Sequence, residues 1–242
     1  MTAAVRVAGV AVRAAIVDLD GTMVDTLGDF HATLNRMLPE FGLPAVAREQ
    51  VALRIGKGSE YLVAQTLRIH LDDAGADALY PRAIDAYQRH YGAVNGSCSA
   101  VFDGVPEGLQ RLHAAGLQLV CITNKPTAYA RALLDLKGLS GYFVAVHGGD
   151  AFARKKPDPL PLLEACRLLE LAPSQAIMIG DSRNDAQAAA GAGCSVALAT
   201  YGYNHGEPIR ETPAAAYFDR LDALPLRTPP DGGGTGATTP ES

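Results

Sequence analysis

Several protein classes are excluded by what this chain lacks. Its four cysteines, Cys98, Cys121, Cys166 and Cys194, show no C-x-x-C spacing. Cys121 and Cys194 stand in apolar runs that read as buried strands, so no disulfide frame is expected and a reducing cytoplasm suits the chain. Basic residues are outnumbered, with 21 Lys and Arg against 26 Asp and Glu. That balance leaves no basic footprint for nucleic acid, and no run of like charge suggests a membrane surface. No apolar stretch reaches the roughly 20 residues that span a bilayer. Near the start, Arg6 precedes the apolar stretch Val7 to Val12, but Arg13 interrupts it. Cleavage there would fall against the strand that follows, so residues 1–13 read as a loose extension. There is no internal repeat. From Thr228 the composition turns to Pro, Gly, Thr and Ser, and a tail with so little to bury is expected to be disordered over 228–242.

What is present is enough for a core, at 48% apolar over 242 residues. The short apolar run Ala14 to Val17 reads as a buried strand. After it, Leu27, Phe30, Leu34, Leu38 and Phe41 recur at helical spacing and stop at Gly42-Leu43-Pro44. Further helices are expected over Glu49 to Arg54, Glu60 to His70 and Ala76 to Tyr91, with no strand between them. Residues 26–96 therefore read as an all-helical insertion. Strands resume at Leu117 to Ile122, Phe143 to Val146, Ala176 to Ile179 and Ser195 to Ala199, separated by helical stretches at Pro106 to Ala115, Thr127 to Lys137, Pro161 to Leu171 and Asp185 to Ala190. Strands and helices that alternate at this length predict an α/β fold, a doubly wound parallel sheet made of residues 14–25 and 97–227, with ligands beyond the carboxyl ends of the strands.

Residues able to do chemistry fall at those ends. Asp18 and Asp20 close the first strand two positions apart, and Gly21 lets the backbone curl so that both can face one pocket. Two carboxylates brought together need a cation or a shared proton, and Mg²⁺, a hard ion that takes oxygen ligands, would serve. The other reading is an N-cap Asp beside a turn Asp. Thr123 and Asn124 follow the second strand and offer a hydroxyl and an amide to a phosphoryl oxygen, or simply cap a helix. Lys156 precedes Pro157-Asp158-Pro159, which would fix its backbone; an ordinary solvated lysine is the alternative. Asp181 and Asp185 follow the fourth strand. Asp181 can complete a Mg²⁺ site with Asp18, and Asp185 can orient a lysine or a metal-bound water.

In order and spacing, D-L-D-G-T at Asp18, T-N at Thr123, K-P-D-P at Lys156 and G-D-S-x-x-D at Asp181 resemble the four motifs of the haloacid dehalogenase superfamily. The resemblance extends over nearly all of residues 14–226, and the insertion looks like that family's helical cap. It implies a Rossmann-like core and a phosphatase in which Asp18 attacks phosphorus to form an aspartyl-phosphate. Asp20 would act as general acid and then base, and Mg²⁺ would be held by Asp18, the Asp20 carbonyl and Asp181. Thr123 and Lys156 would stabilise the transferring group. Dehalogenases of the superfamily lack the second acid, so Asp20 argues against carbon–halogen cleavage.

The cap turn Arg54-Ile55-Gly56-Lys57-Gly58 and the segment Thr200 to Gly206 resemble the phosphoglycolate phosphatase branch. Lys57 or Arg54 would then meet a small anion on the substrate, the alternative being a solvated turn between helices. His205 is a further candidate, set against an inert surface histidine. The expectation is a Mg²⁺-dependent cytoplasmic phosphatase of a small phosphorylated metabolite, 2-phosphoglycolate first, acting as a monomer or homodimer. Sugar-phosphate phosphatase, pyrophosphatase and phosphomutase share the core chemistry, and a non-catalytic binding module is the reading from another class.

Overall fold

The computed structural model describes residues 4–229. Its centre is a six-stranded, wholly parallel sheet. The strands outside that sheet are short: β1 (Arg6–Val7), β2 (Val10–Ala11) and β11 (Leu226–Arg227) form a three-stranded sheet in the order β11-β1-β2, and β4 (Val24–Asp25) pairs with β5 (Ala100–Val101). The sheet itself holds β3 (Ala14–Val17), β6 (Gln118–Ile122), β7 (Ala145–His147), β8 (Ala176–Gly180), β9 (Ser195–Ala199) and β10 (Ala216–Phe218). Their order is β10-β9-β8-β3-β6-β7. The chain leaves the central strand β3 in one direction, through β6 and β7, and returns to its other side through β8, β9 and β10. That reversal opens a crevice at the carboxyl ends of β3, β6 and β8.

Alternate side chains of the strands serve two cores. Ala15, Val17, Leu119, Cys121, Ile177 and Ile179 pack on one face against α5 (Val105–Ala114) and α6 (Thr127–Leu136). Ala14, Ile16, Val120, Ile122 and Met178 pack on the other against α7 (Leu160–Leu168) and α8 (Arg183–Ala192). Strands buried on both faces explain why they read as unbroken apolar runs.

The insertion is helical, as the periodicity predicts: α1 (Leu27–Met37), α2 (Arg48–Ala52), α3 (Ser59–Leu67) and α4 (Asp73–Val94). The expected first helix is cut short at Met37 and continues as a 3₁₀ turn, Leu38–Phe41. Pro39 has no N–H to extend the α-helical ladder. Phe30, Leu34, Met37, Leu62, Val63, Leu67, Ala83, Tyr87 and Tyr91 form a third core, belonging to this cap.

Several features depart from the sequence reading. The amino-terminal segment is not a loose extension: β1 pairs antiparallel with both β2 and β11, and Val7 and Val12 are buried in the first core. Val7 faces Val10 across the turn at Ala8-Gly9, a hairpin too short to register beside the longer strands. The edge strand β10, three residues Ala-Tyr-Phe paired with β9, was not anticipated. The strand expected at Phe143 to Val146 lies at Ala145–His147. Of the tail expected to be disordered, residues 230–242 lie outside the described residues.

Cap and core are joined through β4 and β5, which pair antiparallel. Asp29, fully buried on α1, receives the backbone N–H of Gly96 at 2.8 Å and of Cys98 at 2.7 Å, so one carboxylate fastens the returning linker to the outgoing one. Lys137, from the core, donates to the carbonyls of Gly96 and Ser99. Replacing Asp29 by Ala orphans one buried and one partly buried donor, and hydrogen bonds to a charged group contribute about 1.5–3 kcal/mol each. Denaturant unfolding of Asp29→Ala should show a loss of about 3 kcal/mol or more, with Asp29→Asn, which keeps one acceptor, losing less. A midpoint unchanged from the parent protein would contradict this role.

Candidate active site

Strand register places the site. Val17 lies opposite Cys121 on β6 and opposite Ile179 on β8. Thr123 and Asp181, each two residues further, therefore flank the turn that carries Asp18 and Asp20. All four of these residues are buried. At Gly21 φ is +86°, and a Cβ there would lie 2.2 Å from an oxygen of Asp181, so the turn tolerates only glycine against that acid.

Lys156 is the electrostatic centre. Its ammonium is 2.9 Å from Asp18 Oδ1 and 2.7 Å from Asp185 Oδ1, and it donates to the carbonyl of Ile122 at 2.9 Å. Lys155, the neighbouring alternative, instead points to the cap and pairs with Glu60 at 2.7 Å. Asp185 is fully used: its second oxygen accepts from the Ser182 hydroxyl at 2.7 Å and from the N–H groups of Asp181 and Ser182. Its first oxygen accepts from the Lys156 ammonium at 2.7 Å. Asp181 accepts from the Thr22 hydroxyl at 2.7 Å and from the Tyr203 N–H at 2.5 Å.

Three carboxylates, from Asp18, Asp181 and Asp185, each bring an oxygen within 4.8 Å of the other two. One ammonium faces them. Burial pushes the Asp18 carboxyl up to about 7 despite the pull of Lys156. Burial, with Asp185 and Asp18 nearby, pushes Asp181 well above the ordinary carboxylate range. The site is thus short of positive charge, which a hard divalent cation would supply, and Mg²⁺ fits the oxygen donors present. Asp185 already accepts from four donors, against two for Asp181 and one for Asp18, so Asp18 and Asp181 are the side chains that would hold it.

Other expected residues are placed differently. Thr123 is buried beside the turn, and its hydroxyl accepts the Lys125 N–H at 3.2 Å. Asn124 is not free for a phosphoryl oxygen in this conformation: its amide nitrogen donates to the carbonyls of Lys156 at 2.8 Å and Gly56 at 2.9 Å. With Asn184, which donates to the same Gly56 carbonyl at 3.2 Å, it clasps the cap turn to the core. Lys57 is not brought to the acids. Its ammonium sits 4.9 Å from the centre of the Tyr61 ring, and of the two basic residues in that turn Arg54 is the one lining the cavity between cap and core. His205 is half-buried beside Asn184, at 3.5 Å, rather than on the open surface.

Three contributors were not read from the sequence as site residues. Thr22 and Tyr203 hold Asp181, and the Thr of D-G-T was the available signal for the first. Lys125 is the third: buried, 2.7 Å from Asp20 Oδ1, with Phe30 and Tyr91 rings against its ammonium. Its position two residues after Thr123 was visible, but nothing in the spacing tells a buried lysine from a solvated one.

The family model described as haloacid dehalogenase-like hydrolase matches residues 15–199. A phosphoglycolate phosphatase of Thiobacillus denitrificans is 43% identical over 200 residues, 83% of this chain and 88% of that protein. A plasmid-borne phosphoglycolate phosphatase of Cupriavidus necator is 42% identical over 217 residues, 89% of this chain and 93% of that one. Among solved structures, a predicted phosphoglycolate phosphatase from Haemophilus somnus superposes with a TM-score of 0.78 at 30% identity, covering 87% of this chain and 95% of that one. The four loops converging on Asp18 are those by which the sequence resembles the superfamily, and the chain belongs to the haloacid dehalogenase-like hydrolases as a phosphoric monoester hydrolase.

Proposed function

We propose that this enzyme hydrolyses 2-phosphoglycolate to glycolate and phosphate, with Mg²⁺, through an aspartyl-phosphate on Asp18. The observation that carries the reading is the pairing of a buried Asp18 with Lys156 at the strand ends, under a cap that shuts the site from water. The substrate rests on the relatives bearing that name along nearly their whole length.

An oxygen of Asp18 bonds to phosphorus as the bond from phosphorus to the ester oxygen breaks. The departing alkoxide takes a proton from Asp20. Water then attacks the same phosphorus, Asp20 receives its proton, and inorganic phosphate leaves with Asp18 restored. Lys156, held by Asp185, carries fixed positive charge beside the attacking carboxylate and the transferring group. Asp18, Asp181 and the carbonyl of Asp20 would hold Mg²⁺, which would supply further neutralisation of phosphoryl charge. No helix among the described residues is long and apolar enough to cross a membrane.

Phosphate release should be measured over 2-phosphoglycolate, sugar phosphates, pyrophosphate and nucleoside monophosphates. 2-Phosphoglycolate should give the highest kcat/KM, and Asp20→Asn should lower kcat by about 10²–10⁴. Asp18→Asn should abolish both turnover and the acid-stable labelling of the protein by ³²P-substrate. Retained turnover in Asp18→Asn would defeat the covalent route, and a different best ester would defeat the substrate alone.

The charge deficit gives a second test, independent of turnover. Asp18 and Asp181 have raised folded-state pKa values, so between about pH 4 and 7 the folded protein binds more protons than the unfolded chain. Metal-free stability should therefore fall as pH rises across that window. Calorimetry should show Tm lower near pH 7.5 than near pH 5 in a chelator, with Mg²⁺ raising Tm strongly at the upper pH and little at the lower. A Tm indifferent to Mg²⁺ at the upper pH would count against the metal site, and Asp181→Asn should remove the Mg²⁺ response.

A further inference from the structure

The cavity between cap and core holds polar groups that the hydrolytic steps do not use. It is lined by Asp20, Asn124 and Lys125 from the core and by Arg54, Ser59, Tyr87 and Tyr91 from the cap, among others. The hydroxyls of Tyr87 and Tyr91 are buried and have no hydrogen-bond partner. A buried donor left unmade costs about 1–3 kcal/mol, so two on one cavity wall point to a polar ligand that belongs there. Burial, with Asp20 near both, pushes the two phenols well above their ordinary pKa, so they remain O–H donors.

Lys125 supplies the charge. Its ammonium has one carboxylate partner, Asp20, while the Phe30 and Tyr91 rings stand 4.5 and 5.1 Å away and limit its hydration. Of the basic residues of the cap turn, Arg54 also lines the cavity, with its Nε and one terminal nitrogen turned to the carbonyls of Gln65 and Gln50, and Lys57 lies over Tyr61.

We propose that Lys125 and the hydroxyls of Tyr87 and Tyr91 form a receptor for a carboxylate on the leaving group of the substrate. The inference rests on the phosphatase reading above and names the residues that choose the ester. Asp20 serves the ester oxygen, and the Lys125 ammonium is 2.7 Å from Asp20 Oδ1. The second anionic group must therefore stand close to that oxygen, as in a short phosphorylated hydroxy acid. In the state seen here the Asp20 carboxylate occupies the ammonium. An incoming carboxylate exchanges with it, and Asp20 is released to turn toward the ester. An uncharged leaving group has nothing to offer Lys125 and leaves Asp20 engaged.

The test compares 2-phosphoglycolate with 2-hydroxyethyl phosphate, which has a hydroxymethyl group in place of the carboxylate, in the wild type, Lys125→Met and the double variant Tyr87→Phe with Tyr91→Phe. The wild type should favour the carboxylate ester by about tenfold or more in kcat/KM. Lys125→Met should bring the ratio close to one. The double phenylalanine variant, which deletes two oxygens and keeps the packing, should lower the ratio severalfold, chiefly through a higher KM for 2-phosphoglycolate. It carries the test together with Lys125→Gln if Lys125→Met does not fold. Equal rates on the two esters in the wild type would overturn the receptor, as would a loss in Lys125→Met that is the same for both, or a full ratio in the double variant. Phosphate release from neither ester by the wild type would instead sink the hydrolase reading on which the receptor depends.

Discussion

The ammonium of Lys156, held between Asp18 and Asp185, is the interaction on which the site depends. A buried charge pair is weak evidence for stability, because desolvation offsets much of the attraction, and removal of one partner leaves an uncompensated charge. Its use here is positional. With the Ile122 carbonyl as a third partner, Lys156 joins the ends of β3, β6 and β8 through one atom. Three parallel strands in register would bring their loops together anyway, but only a cation at that point lets two of the loops carry acids facing each other. The remaining carboxylate of the cluster, Asp181, has no ammonium against it, and the three acids outnumber the one cation they face.

The same economy of partners governs the cap. Its turn is clasped by a backbone carbonyl, that of Gly56, which accepts from Asn124 on the loop after β6 and from Asn184 at the start of α8. The nearby Lys155 to Glu60 pair is largely solvated, and such pairs contribute about 0–1 kcal/mol. Neutral amides donating to a carbonyl are less screened by salt and directional, so they define the closed position better than the ion pair does. No anion of the substrate is needed for that clasp, which frees the basic groups of the interface for recognition.

The core was legible because its signals are local and redundant. Runs such as Ala14 to Val17 and Ala176 to Ile179 are short, apolar and end in acids, and a strand buried on both faces leaves that mark whatever surrounds it. The helical insertion was legible for a similar reason, since Leu27, Phe30 and Leu34 keep one period. What the sequence concealed was decided by partners distant along the chain. The hairpin of Val7 and Val10 exists through β11, more than two hundred residues away, and its apolar stretch alone gave no hint of pairing. Asn124 suited a phosphoryl oxygen by chemistry, yet a cap carbonyl claims it. Lys57 had the charge and the flexible glycine turn but the wrong direction, whereas Lys125, unremarked beside Thr123, is buried because Phe30 and Tyr91 of the cap close over it.

Tyr203 shows why the cap and the acids cannot be treated as separate parts. Its N–H holds Asp181, while its hydroxyl donates to Asp25 at the start of the linker and accepts from the N–H of Leu27, the first residue of α1. Thr22 holds the other Asp181 oxygen from the D-G-T turn of the core. Asp181 is thus fixed on one side by the core turn and on the other by a tyrosine that is itself bonded to the residues where the cap begins, so the position of this acid depends on both parts of the chain.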